Sequence, residues 1–185
     1  LDSRVNCYLD NVTVTFYGEI VVDDRGTIIT TQFIAFEGKN ITVNNLMIDG
    51  YRDYNEEGTI RGTQANFSVG YKAKNVIFNG GYSRNALQNH CFIYGENTII
   101  NDFDFDGSGE HGLYITNEPD NPKERFTMKR CKVLNWGLGQ WQAMGASFRD
   151  YKNGLFEDCF FDGKGNTNAT HCIQAMAIYR VTQDG

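Results

Sequence analysis

Between Asn97 and Thr116 the chain alternates apolar and polar residues in three short runs. Thr98 and Ile100 carry the first, Phe103 and Phe105 the second, and Leu113, Tyr114 and Ile115 the third. Alternation within each run is the period of a half-buried strand. The spacing skips one residue at Asn101-Asp102, so Thr98, Ile100, Phe103 and Phe105 can all face one interior. A Gly-rich turn, Asp106 to Gly109, separates the second run from the third.

The same pattern returns in segments starting at Asn40, Asn75, Asn97, Arg125 and Asn153. Placed in register, their inward positions are Ile41/Val43/Leu46/Ile48, Val76/Phe78/Gly81/Ser83 and Thr98/Ile100/Phe103/Phe105, followed by Phe126/Met128/Cys131/Val133 and Gly154/Phe156/Cys159/Phe161. The corner after the first strand falls on Asn44-Asn45, Asn79-Gly80, Asn101-Asp102, Lys129-Arg130 and Glu157-Asp158. Asn, Gly and Asp tolerate the left-handed backbone such a corner needs; Lys-Arg and Glu-Asp suit it less well. Another strand precedes each repeat: residues 32–36, 67–71, 91–94, 112–115 and 145–148, with residues 172–179 opening one more.

Short strands recurring every 20–30 residues, each repeat stacking on its neighbours, describe an all-β parallel solenoid of about five to six coils. The Leu-x-x-Leu-x-Leu frame of the rival leucine-rich repeat is missing. The pattern over roughly residues 30–180 resembles the pectin-lyase-like right-handed parallel β-helix superfamily, whose members include polysaccharide lyases, glycosidases and phage tailspikes. That resemblance implies a single-stranded right-handed parallel β-helix of tailspike or appendage type. It further implies a homotrimer in the virion (phage tail) or outside the cell, acting on a cell-surface polysaccharide or teichoic-acid-like glycan. Its activity would be depolymerisation by hydrolysis or lysis, without a cofactor. A structural or adhesive β-helix is the non-catalytic alternative, and a cellular polysaccharide lyase or glycosidase is a third.

The 185 residues suit one domain, with residues 1–31 as an irregular first coil or cap. Residues 51–64 and 116–124 read as insertions. The chain starts at Leu1 and stops mid-coil, as a segment of something longer would. A net charge of −6 argues against nucleic acid, and no apolar run is long enough to span a membrane. Five cysteines, two of them (Cys131 and Cys159) in the same inward slot, point to buried free thiols, with a Cys131–Cys159 bridge as the alternative.

In-register stacking makes outward columns legible. Asp49, Arg84, Asp106, Leu134 and Asp162 follow the last strand of successive repeats. Asp49 and Asp106 are then roughly 9.6 Å apart, and Asp104 and Asp106 roughly 6.6 Å apart on one strand face. Inverting glycosidases hold their carboxyls about 6.5–9.5 Å apart, so these pairs suit acid/base hydrolysis. Asp106 with Asp104 or Glu110 is the expected catalytic pair, with His111 assisting. Ordinary Asp-Gly turns in a self-neutralising Asp-Arg-Asp column are the structural alternative.

His90, His111 and His171 each stand before a strand of the same kind, with Gln64 and Gln142 in the equivalent slots. Such a stripe binds sugar hydroxyls or carries a proton, or else it holds turn carbonyls. No third ligand accompanies His90 and His111, so no metal is expected. Glu110-His111-Gly112 resembles part of the Gly-His-Gly motif of polygalacturonases, but that family's other motifs do not appear in matching positions. Tyr82, Trp136, Trp141, Tyr51 and Tyr54 are candidate sugar platforms, and His90, Arg84 and Asp49 candidate substrate contacts. Leu155 and Phe160 face outward in this register, as a subunit interface would require.

Overall fold

The computed structural model describes residues 5–21, 32–50, 65–117, 123–139, 142–176 and 181–184. Within them the chain is all β, without a helix, and its strands (numbered β1–β17 in chain order) form two sheets. The seven-stranded sheet runs β1 (Val5–Cys7), β4 (Gln32–Phe36), β6 (Ala65–Val69), β8 (Asn89–Ile93), β10 (Leu113–Ile115), β13 (Ala143–Arg149), β16 (Ala169–Met176). The ten-stranded sheet runs β17 (Val181–Asp184), β14 (Tyr151–Glu157), β11 (Lys123–Lys129), β9 (Glu96–Ser108), β7 (Lys74–Ala86), β5 (Lys39–Asp49), β2 (Val12–Thr15). On its long strands β3 (Ile20–Val21) pairs with β5, and β12 (Lys132–Trp136) pairs with β9 and with β15 (Phe160–Asp162). Neighbouring strands in both sheets pair in parallel.

On the ten-stranded sheet the expected register of the inward sets holds residue for residue. Ile41 pairs with Val76, Val76 with Thr98, Thr98 with Phe126 and Phe126 with Gly154. At the second strand Ser83 pairs with Phe105, Phe105 with Val133 and Val133 with Phe161. The inward sets of the first, third and fourth repeats are buried. Large and small residues alternate along these files. Gly81 sits beside Phe103, and Ser83 beside Phe105, leaving room for Phe67, whose ring lies 5.2 Å from Phe78 and 6.0 Å from Phe103. Gly154 does the same for Phe148, since a Cβ there would run into the Phe148 ring. Interiors packed to crystal-like density accept bulk in one repeat only where the next gives it up.

The corners explain why β5, β7 and β9 can bend without breaking. Asn45, Gly80, Asp102, Arg130 and Asp158 have φ of 55°, 68°, 55°, 51° and 53°. All five corners, including the two that suit the conformation less well by residue type, are therefore left-handed. Arg130 also makes a bidentate ion pair, Nε and Nη2 donating to Asp102 of the preceding repeat at 2.7 and 2.9 Å.

A second left-handed file lies at the strand starts: Asn11, Asn40, Asn75 and Asn97, with φ of 57°, 55°, 57° and 53°. Each side-chain amide donates to the carbonyl of the Asn one repeat back, at 2.8, 2.8 and 3.1 Å. A parallel ladder joins Asn44, Asn79 and Asn101. Asn40 is thus a turn residue, as the repeat implies.

The ladder sets a test of the fold. Asn75→Ala removes two amide bonds and leaves alanine in a conformation it disfavours, for a loss of about 2 kcal/mol. Asn75→Gly restores the backbone but not the bonds, for about 1 kcal/mol. Urea unfolding of the three proteins should give that order.

Candidate functional site

The outward column on the ten-stranded sheet forms in register: Asp49 beside Arg84, Arg84 beside Asp106, Asp106 beside Leu134 and Leu134 beside Asp162. Its charges are largely engaged. Arg84 donates from Nε to Asp49 at 2.9 Å and from Nη2 to Glu19 at 2.7 Å. Glu19 also accepts the Tyr82 hydroxyl at 2.7 Å, a bond that raises the pKa of that phenol. Asn85 donates to the other Asp49 oxygen at 2.8 Å. Asp106 accepts the Asn135 amide at 2.5 Å, and Asp104 faces Lys132 at 3.5 Å. Asp104 and Asp106 lie two residues apart on β9 and point the same way, as expected. Below them Phe16, Tyr17, Asn45, Met47, Gly81 and Tyr82 line a shallow pocket.

The histidines do not form one file. Cys91 pairs with Leu113 and Leu113 with Ala146, which sets His90 beside Gly112 and His111 beside Asn89 and Met144. His171 pairs with Met144, so His111 and His171 share a file while His90 is offset by one residue. Met144, and not Gln142, holds the equivalent slot; Gln64 lies outside the described residues. The offset sends His90 into the interior. Its Nδ1 lies 2.9 Å from Ser83 Oγ, which also accepts the Asn66 amide at 2.9 Å, and its ring lies 5.6 Å from Phe105. Burial lowers its pKa to about 3. His90 is a core histidine and has no free edge for a sugar. His171 is exposed and lies against Thr170 at 3.0 Å.

His111 and Glu110 come together with three residues that the periodic pattern does not single out: Asn89, Tyr114 and Arg149. Glu110 Oε1 lies 3.6 Å from His111 Nε2. The Tyr114 ring stacks on His111 with centroids 5.6 Å apart and planes at 8°, and the Arg149 guanidinium lies over the Tyr114 ring, 5.4 Å from its centroid. Burial raises the Glu110 pKa against an Asn89 hydrogen bond and the Arg149 charge, both of which lower it. Burial, and then the Arg149 charge, lowers that of His111 to about 4. The Met144 backbone N–H donates to His111 Nδ1 at 3.2 Å. That bond fixes the neutral tautomer with the proton on Nε2, facing Glu110, and leaves no lone pair for base catalysis. His111 is therefore a hydrogen-bond donor at neutral pH and not a proton acceptor.

From Tyr114 a line of rings continues over the outer face of the seven-stranded sheet. Phe92 meets Tyr114 edge-on at 5.8 Å, Tyr94 lies 5.8 Å from Phe92, and Tyr71 stacks on Tyr94 at 4.4 Å and 15°. Tyr71 is 51% exposed. The expected platform Trp136 is not part of this surface. It is 2% exposed, on β12 beside the small Ser108, with its ring against Phe161 at 6.5 Å. Trp141, Tyr51 and Tyr54 lie outside the described residues. Among the described residues no three His, Cys, Asp or Glu side chains gather as a metal site would.

The buried histidines give a pH test. Unfolded histidine titrates near 6.5, so as pH falls below that value the unfolded chain takes up protons that His111 refuses until about 4. Folding stability should fall from pH 6.5 towards pH 4, by up to about 1.4 kcal/mol per pH unit for each such histidine. His111→Asn keeps an acceptor for the Met144 amide and should reduce the pH 7 to pH 5 difference in urea midpoint. No family model matches this chain, and no curated protein and no solved structure matches it either.

Proposed function

We propose that the chain is a stretch of right-handed single-stranded parallel β-helix of the pectin-lyase-like kind. In this reading it belongs to a tailspike or appendage protein that binds a cell-surface polysaccharide or teichoic-acid-like glycan and hydrolyses it. The observation that carries the binding is the run of rings from Tyr71 through Tyr94 and Phe92 to Tyr114, ending at Glu110, His111 and Arg149. Aromatic faces take the apolar faces of sugar rings, while Arg149, Asn89 and the His111 Nε2–H supply donors for hydroxyls or acidic substituents.

For cleavage, Glu110 has the environment of a general acid, because burial holds its proton at higher pH than an exposed carboxyl would. Asp106, four residues upstream near the end of β9 and held by Asn135, is the carboxylate that would orient water, with Asp104 beside it. His111 assists by donating to Glu110 once its proton has gone. Tyr82, Arg84 and Asp49 form an ion-paired network on the repeats before Asp106, in the same ten-stranded sheet. Leu155 and the 57% exposed Phe160 suit the subunit contact of a homotrimer. The ion pairing of Asp49, Asp102 and Asp104 favours a second reading, an adhesive β-helix that binds without cleaving.

Incubation of the full-length protein with host surface glycans separates the two. Hydrolysis should release new reducing ends, Glu110→Gln should lower that rate at least 100-fold while binding persists, and Tyr114→Ala should weaken binding about tenfold. Binding without reducing ends selects the adhesive reading, and unaltered binding by Tyr114→Ala overturns the assigned face.

A further inference from the structure

The five cysteines are free, yet two of them are not independent. Lys129 pairs with Glu157 and Lys132 with Phe160, so Cys131 and Cys159 lie directly opposite each other on adjacent repeats. In-register neighbours on parallel strands have backbones about 4.8 Å apart, inside the 4.4–6.8 Å range of Cα separations that a disulfide spans. Each thiol also leans on a carbonyl of the repeat before it: Cys131 Sγ on Ile100 O at 3.5 Å, and Cys159 Sγ on Met128 O at 3.4 Å. The two sulfurs therefore stand one above the other in the same inward slot. Cys131 is buried, whereas Cys159 is half-buried and opens one route inward for a reagent.

We infer that Cys131 and Cys159 form an oxidisable dithiol, a site at which a small disulfide of the glutathione type converts two adjacent repeats into a covalently linked pair. The hydrogen bond from the Cys131 thiol lowers the pKa of Cys159, making it the more acidic member and the attacking thiolate. The same sharing, with burial, raises that of Cys131, which suits the resolving role. In the first step the Cys159 thiolate attacks one sulfur of the small disulfide. A protein–reagent S–S bond forms, the reagent's own S–S bond breaks, and one reagent thiolate leaves. In the second step Cys131 gives up its proton to that thiolate and attacks Cys159 Sγ, forming the Cys131–Cys159 bond and expelling the second reagent thiolate, which takes a proton from solvent. Two protein thiols are oxidised, and one small disulfide is reduced to two thiols. Cys91 is sealed in the core, where burial raises its pKa well above the ordinary range, and the exposed Cys172 stands one sheet away on β16.

Oxidised glutathione at neutral pH, quenching by alkylation in denaturant, and peptide mass analysis test the assignment. The expected result is joint loss of alkylation at Cys131 and Cys159, with a linked peptide pair 2 Da lighter than the two free peptides together (order of a hydrogen pair, about 2). Cys131→Ser should instead trap glutathione on Cys159. Alkylation of both thiols after oxidation, arrest of the native chain at a Cys159–glutathione adduct, or a link from Cys159 to Cys172 would each overturn it.

Discussion

Most of this chain depends on one constraint: across the ten-stranded sheet, parallel strands in adjacent repeats pair with no shift, so a residue meets its own equivalent. Such stacking makes every side-chain choice a pairwise one. Like charges directly opposite are destabilising, whereas amides that donate and accept at once can stack without limit. The Asn11–Asn40–Asn75–Asn97 file is the clearest consequence, because Asn tolerates a positive φ and also offers one donor and one acceptor along the stacking direction. Where the ladder gives way to charge, opposite signs meet at several positions, though Lys39 pairs with Lys74: Lys74 faces Glu96 at 2.9 Å, Lys129 faces Glu157 at 2.6 Å, and Arg130 faces Asp102. These pairs are solvent-exposed and add little individually; their effect is to penalise a slipped register.

The interior obeys the constraint through volume. The Ala86–Ser108–Trp136 file shows it most plainly: Ala86 pairs with Ser108 and Ser108 with Trp136. A tryptophan in the third position occupies space that the two smaller residues leave, and Gly163 lets its ring in, since a Cβ there would stand 3.3 Å from it. The opposed thiols of Cys131 and Cys159 are another product of the same arithmetic, a slot small enough in two successive repeats for sulfur.

Periodicity revealed the inward sets, the five corners and the acidic column because each rests on spacing alone. It misplaced His90 by one residue, and the reason is physical. Strands β8 and β10 carry apolar side chains on both faces, Phe92 and Tyr114 outside and Cys91, Ile93, Leu113 and Ile115 inside, so apolar alternation cannot tell in from out. A file drawn through the three histidines is therefore out of register by one at His90, and a shift of one in a strand exchanges the faces. Trp136 was misread for a related reason: Leu-Asn-Trp-Gly looks like a loop, but β12 continues through it by pairing with β9. Asn89 and Arg149 were missed because nothing in their own segments repeats; only the pairing of β8, β10 and β13 brings them to Glu110.

That last point bears on where chemistry can reside in a stacked chain. A residue present in every repeat is consumed by its vertical neighbours, as the ladder amides are. Positions whose identity changes from repeat to repeat have no such duty. The file Ala65–Asn89–His111–Met144–His171 changes at every step, and so does Ser68–Phe92–Tyr114–Ser147–Gln174. These two files, three residues apart along the strands, cross the seven-stranded sheet where Glu110, His111, Tyr114 and Arg149 meet. There a neutral imidazole with a fixed tautomer, a carboxyl inclined to keep its proton and a ring capped by a guanidinium share one patch. His111 also ties β10 to β13 through the Met144 amide, but half-burying Glu110 and Arg149 beside it costs stability that continuing the stack does not require. The break in the repeat is therefore the physical argument for placing the proposed glycan contact at this patch.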